Sequence, residues 1–246
     1  MKRVAILLLI IVFIALIGVG CYLAFKDNGV SIEKPGNSGD KPEILSASDK
    51  IIISITPTHT ETQRRLVDVN IPAFSNLLDY SFQESINKKI ADSINPYIKE
   101  INIVADETVS KQYKYTVSFE RYNNEEYISI VLLQNYSTGE GGMRSNTWKD
   151  TYTIDVINNK EISLADICSA ENYKKIIVAE VNKQAKEQNL NLVAGNGLAD
   201  IPDTQRFYIK DKKLYIYFEP ASIAPYLDGE MIFEMPFEFV NGKFIL

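Results

Sequence analysis

Histidine and cysteine, the usual carriers of nucleophilic and metal chemistry, are almost absent from this sequence, which has one histidine, His59, and two cysteines, Cys21 and Cys168. A Cys–His catalytic pair would have to join Cys168 to His59, and neither sits in a recognisable local signature. Zinc sites need several nitrogen or sulfur ligands at short spacing, and no such cluster occurs. The acids of Tyr122–Glu126 lack the Asp/Asn/Gly ladder of a calcium loop. No metal and no other cofactor is expected. The Gly-x-Ser-x-Gly elbow of serine hydrolases is missing. Ser85-Ile86-Asn87-Lys88 matches the Ser-x-x-Lys nucleophile motif, but it lies on an ordinary amphipathic helix without the partner motifs and reads as coincidence. There are 32 acidic residues, and nothing singles out two of them as the carboxylate pair that glycoside cleavage requires. The chain is not expected to be an enzyme.

Two stretches suggest contact rather than catalysis. "YSTGEGGMRSNTW", residues 136–148, joins two long strand candidates. Gly139, Gly141 and Gly142 allow backbone angles that other residues avoid. With Glu140, Met143 and Arg144 they form either a plain β–β connection or a contact loop. "FEPASIAPYLDGE", residues 218–230, is too long and too stiff for a tight turn, because Pro220 and Pro225 fix the backbone and remove two donors. It offers Ile223, Tyr226 and Leu227 to a partner or tucks them under the sheet. Tyr226 and Leu227 would be apolar anchors, and Asp228 and Glu230 would meet cations.

These stretches need elements to position them. Strand candidates are Ile51–Thr56, Arg64–Ile71, Tyr113–Tyr122, Tyr127–Tyr136 and Trp148–Ile157, the first of the long ones turning at Asn123-Asn124. Phe82, Ile86, Ile90 and Ile94 recur every four residues and predict a helix from Tyr80, ended or kinked at Pro96. A second helix is expected from about Ala170 to Gln188, with Ser169 as N-cap. A hairpin, Arg206–Ile209 with Leu214–Phe218, and a last strand, Met231–Val240, complete the chain. The order predicts an α+β fold, an antiparallel sheet with two main helices packed on it, preceded by one N-terminal transmembrane helix.

That first helix rests on residues 4–25, a run of 22 residues without charge, long enough to span a bilayer core. Lys2 and Arg3 place the N-terminus inside and the rest outside. An uncleaved signal anchor over residues 1–26 is favoured. Lipidation at Cys21, in the lipobox-like Ile17–Cys21, and ordinary cleavage are the alternatives, and all three put the domain on the same side of the membrane. Residues 27–48, rich in Gly, Pro, Ser and charge, read as a flexible linker. The extracellular domain follows, with an N-terminal half, 49–165, and a C-terminal half, 166–246. Without Lys2, Arg3 and Lys26, 23 basic side chains face 32 acidic ones, a net charge of −9. That argues against nucleic acid and anionic lipid as partners and suits a cationic one. Cys168 is alone outside the anchor, so no internal disulfide forms, and it is expected to pack as a small apolar residue.

Residues 207–240 resemble the C-terminal half of a bacterial cell-surface domain shared by RsiV-type anti-sigma factors and PdaC-type peptidoglycan deacetylases. Phe218, Pro220, Ile223, Ala224, Pro225, Tyr226 and Gly229 carry the resemblance. Upstream, Ile71-Pro72 with Ile86-Asn87, and Leu164-Ala165-Asp166 after Asn158-Asn159, are similar to its helix and strand–turn signatures. The family's frequent Gly-Gly-Ala-His in the middle loop is here Gly141-Gly142-Met143-Arg144. With only Met1–Arg3 on the inner side, no sigma-binding segment is expected, and no deacetylase domain either. The resemblance implies a membrane-anchored binding or sensing module facing the cell wall, whose partner is a cationic, lysozyme-like protein or peptidoglycan. A wall-modifying hydrolase and an accessory subunit of another membrane protein are the competing readings.

Overall fold

The structure is a computed structural model that describes residues 46–107, 112–138, 145–190, 192, 197–224 and 230–246. The expected anchor and nearly all of the linker lie outside these residues. None of the described helices is long and apolar enough to cross a membrane. All described residues belong to one compact unit, Ile44–Leu246.

Among the described residues the strands form three sheets. The largest has six strands in sequence order: β1 (Ile52–Glu61), β2 (Arg65–Ser75), β3 (Tyr113–Asn124), β4 (Tyr127–Thr138), β5 (Ser145–Asp155) and β6 (Lys160–Glu161). Its pairs are antiparallel except β2 with β3, which is parallel. The expected single antiparallel sheet is therefore corrected to a mixed one. A parallel neighbour needs a crossover, and helix α1 (Tyr80–Glu107) supplies it.

Helix α1 passes through Pro96 rather than ending there. Its apolar stripe resumes beyond the proline, and Ile86, Ile90, Ile94, Ile101 and Ala105 are all buried. Burial of the second half outweighs the one hydrogen bond that proline removes. Asn87 clamps the helix to β2, with its side-chain Oδ1 accepting from Phe74 N at 2.7 Å and its Nδ2 donating to Phe74 O at 2.9 Å.

Strand β4 is buried on both faces. Ile128, Ile130 and Leu132 face α1 within the first core, together with Val67, Val69, Tyr115, Val117, Tyr152 and Ile154. On the other face Ser129 Oγ accepts from Ile209 N of a second sheet, at 3.0 Å. That sheet consists of β7 (Phe207–Lys210), β8 (Lys213–Phe218) and β9 (Met231–Met235). Helix α3 (Tyr173–Glu187) covers its outer face through Ile177, Val178, Val181 and Ala185 in the second core. The layers run helix, sheet, sheet, helix.

Other details shift for physical reasons. The β3–β4 turn is at Glu125-Glu126, with Glu125 at φ 56°. Asn124 is buried instead, donating to Ile209 O and accepting from Lys212 N. Asn172, not Ser169, stands at the N-cap of α3. The Leu-x-Asp signature is a short helix, α2 (Leu164–Ile167), closed by a capping box in which Asp166 accepts from Ser163 N. Beside Lys160 and Ser163 the Asp166 carboxyl falls from 3.8 to about 2. The last expected strand breaks at Pro236 into β9 and β10 (Glu238–Val240), and β10 pairs with β11 (Lys243–Ile245). Cys168 is buried, and burial pushes its thiol up to about 12, so it packs as a protonated apolar group.

Replacing Asn87 by alanine strips two hydrogen bonds from the Phe74 backbone and should cost about 1–3 kcal/mol. Urea unfolding of N87A against the parent checks this, and an unchanged midpoint would remove Asn87 from its clamping role.

Candidate functional site

Among the described residues the first half of β5 is a free edge, because β6 pairs only with Ile154 and Asp155. Along that edge lies an open cleft of about 580 Å³. Asp92, Pro96 and Tyr97 of α1 form one wall, Asn146, Thr147, Trp148 and Asp150 of β5 the floor, and Arg206, Glu219 and Pro220 the other wall. An unpaired edge strand invites association, and here it is partly covered, since Lys149 N donates to Tyr217 Oη at 3.0 Å.

Period-two alternation puts Trp148, Asp150, Tyr152 and Ile154 on one face of β5. Three of these are apolar or aromatic, and Asp150 is the exception. Its carboxylate is nearly enclosed, with 14% of the side chain exposed. Gln134 Nε2 donates to one oxygen, and the other lies 2.6 Å from Arg206 Nη2. Gln134, itself fully buried, accepts from Tyr115 Oη. Arg206 also pairs with Glu219 through its other terminal nitrogen. The result is one continuous chain of hydrogen bonds, Tyr115–Gln134–Asp150–Arg206–Glu219, that runs from the first core to the cleft surface. Burial raises the Asp150 carboxyl above its usual value and outweighs the guanidinium beside it, which lowers it.

An aromatic cluster surrounds this chain. The Tyr97 ring lies 5.1 Å from Trp148 and 5.4 Å from Tyr115, all at tilted angles. Tilted contacts at these separations are the favoured geometry for aromatic pairs. The polar chain is thus held by packing on one side and opens to solvent on the other.

Of the residues singled out from sequence, Pro220 lines the cleft and Ile223 is half-buried, packed on the second core. Gly139, Glu140, Gly141, Gly142, Met143 and Arg144 lie outside the described residues, as do Pro225, Tyr226, Leu227 and Asp228. The described residues that bracket the two stretches do meet. Asn146–Trp148 and Pro220 share the cleft, and Lys149 pairs with Glu230 at 2.7 Å. His59 is exposed on β1, 3.5 Å from Asp68. Ser85 and Lys88 are exposed on α1, and Lys88 pairs with Asp92. Among the described residues no group of three His, Cys, Asp or Glu could hold a metal ion.

Tyr97, Trp148, Asp150, Arg206 and Glu219 were missed in the sequence. One signal was present there: Asp150, and Gln134 on the next strand, are polar residues on otherwise apolar strand faces. A polar side chain so placed must find a buried partner.

This arrangement belongs to a known structural class. Residues 165–238 match the DUF3298 family, described as a protein of unknown function. Over 213 residues the chain is 27% identical to the anti-sigma-V factor RsiV of Bacillus subtilis (strain 168), a match that covers 80% of this chain and 72% of that protein. The resemblance drawn from the C-terminal signature holds. Two crystal structures of DUF3298 proteins share the fold. The one from Bacteroides fragilis NCTC 9343 has a TM-score of 0.55 and 13% identity, over 78% of this chain and 92% of that one. The one from Pseudomonas aeruginosa PAO1 has a TM-score of 0.54 and 12% identity, over 77% and 92%.

Replacing Arg206 by methionine leaves Asp150 buried beside Gln134 without its cation. A carboxyl whose folded pKa lies above its unfolded value favours the folded state at low pH and loses that contribution as pH rises through the folded value. Removing the cation raises the folded value further. R206M should therefore lose about 2 kcal/mol at pH 7 and less at pH 5. Urea unfolding at the two pH values reads this, and equal losses at both would contradict it.

Proposed function

We propose that this chain is a membrane-tethered, extracytoplasmic binding and sensing module that acts without catalysis, and that its ligand is a cationic, lysozyme-like protein or a component of the cell wall. The observation that carries this reading is the state of the cleft carboxylates. Asp92 is paired with Lys88, and Asp150 and Glu219 share one guanidinium. A general acid and base must exchange protons with a substrate. These groups are instead held in ion pairs, and the one between Asp150 and Arg206 ties the large sheet to the small one, which suits a preformed docking face. The likeness to an anti-sigma factor supports the same reading, since RsiV by its name regulates and does not name a reaction.

The geometry suits a tether. The chain enters the domain beside the β3–β4 turn, where Ser48 N donates to Glu125 O at 3.0 Å. The cleft lies along the first half of β5, whose residues Asn146 to Asp150 register through β4 with Tyr115 to Phe119 of β3. At about 3.3 Å per residue the cleft floor lies roughly 20–33 Å along β3 from Glu125. The net charge of −9 outside the anchor supports a basic partner over an anionic lipid surface.

Calorimetry of the full chain in detergent, titrated with lysozyme and separately with soluble peptidoglycan fragments, tests the reading. It should show binding near the micromolar range, about −8 kcal/mol, without turnover of the fragments. Silence from both ligands at about 100 μM would contradict binding. Release of new reducing ends would contradict the absence of catalysis.

A further inference from the structure

The cleft on the free edge of β5 has a chemistry of its own. Its apolar surface comes from the rings of Trp148 and Tyr97 and from Pro96 and Pro220, and its polar surface from Asp92, Asn146, Thr147, Asp150, Arg206 and Glu219. Its volume of about 580 Å³ lies in the range of small-ligand sites. Trp148 is pinned in place, because its indole N–H is bound to Asp150 and its ring meets Tyr97 at 5.1 Å.

Two ligand chemistries suit aromatic rings set among acids: a basic side chain and a sugar ring. An incoming cation would have to displace a cation already present, Lys88 from Asp92 or Arg206 from Asp150 and Glu219. Each of those carboxylates is already neutralised by a cation, so a basic side chain would exchange one ion pair for another and gain little beyond cation–π contact. A pyranose makes no such demand. Its C–H face carries slight positive charge and packs on the negative face of an aromatic ring. Its hydroxyls both donate and accept, which matches a rim holding a guanidinium fork, carboxylates, an amide and a hydroxyl. The enclosed chain from Tyr115 to Glu219 keeps that rim rigid, so little ordering is required when the ligand arrives.

We infer that this cleft is a glycan-binding subsite that takes one or two pyranose units, stacked on Trp148 and Tyr97 and hydrogen-bonded by Asn146, Asp92 and the Arg206–Glu219 pair. The inference deepens the proposed function by giving its binding face a ligand class, and it rests on that reading.

Trp148 is the only tryptophan in the chain, so intrinsic fluorescence of the full chain in detergent reports on this cleft alone. Titration with an N-acetylglucosamine tetramer, and in parallel with a glucose tetramer, should give a saturable change with at least one of them. A response to the first alone would add the acetamido group to the ligand. N146A and D92A alter exposed side chains and should fold normally, and each should weaken the response about three- to tenfold. No response to either oligosaccharide, or unchanged affinity in both variants, overturns the inference. So does a response to an oligo-arginine peptide alone, which would make the cleft a pocket for basic side chains. If calorimetry shows lysozyme binding while the oligosaccharides are silent, only the glycan subsite fails and the binding module stands.

Discussion

A carboxylate removed from water must be neutralised or hydrogen-bonded, and Asp150 meets that demand with a cation borrowed from another layer of the molecule. It sits on the helix-facing side of the large sheet, and Arg206 lies at the start of the small one. The ion pair passes around the free edge of β5, and the small sheet therefore has to dock where it does. Once it is docked, Tyr217 can take the Lys149 amide, and Lys149 can reach Glu230. On the far side of β4, Asn124 and Ser129 bind the backbone of β7. The stacked rings of Tyr122, Tyr208 and Tyr215 run from the large sheet to the small one. Polar contacts fix the relative position of the two sheets, and apolar burial drives their association.

The same requirement creates the cleft. Arg206 and Glu219 stand off from α1, and the space between them is floored by β5. Because the floor is a strand edge and the walls are a long helix and an ion-paired rim, the opening is preformed. Such preformed sites favour recognition, since little conformational entropy is lost on binding. Pro96, a poor residue for a helix interior, lines the same cleft. It keeps a rigid apolar surface at the rim while the buried stripe on the opposite face of α1 holds the helix together.

Much of the fold was legible because strand and helix periods are strong signals. The long strands β3, β4 and β5 fell close to their expected bounds, and the apolar stripe located α1. Of the two readings at Pro96, an end or a kink, the end fails because proline's local cost was weighed without the stripe beyond it, Ile98, Ile101 and Ala105. Asn124 looked like a turn residue, but its side chain is required by the small sheet 85 positions away. The cleft was harder to see. Tyr97, Trp148 and Arg206 lie on three elements that only the parallel β2–β3 crossover and the sheet-on-sheet docking bring together, and no local spacing encodes that. Asp150 was the one legible clue, a charged residue in the apolar register of a strand. Of the two stretches that first suggested contact, Pro220 and the residues just after 139–144 reached the cleft.

The central claim is that ligand meets this domain at the free edge of β5, away from where the chain enters. Hydrogen exchange of the full chain in detergent, with and without lysozyme or peptidoglycan fragments, tests it most directly. The account predicts slowed exchange in residues 146–150 and 219–224. Protection confined to residues 48–52 and 124–127, with the β5 edge unchanged, would contradict it.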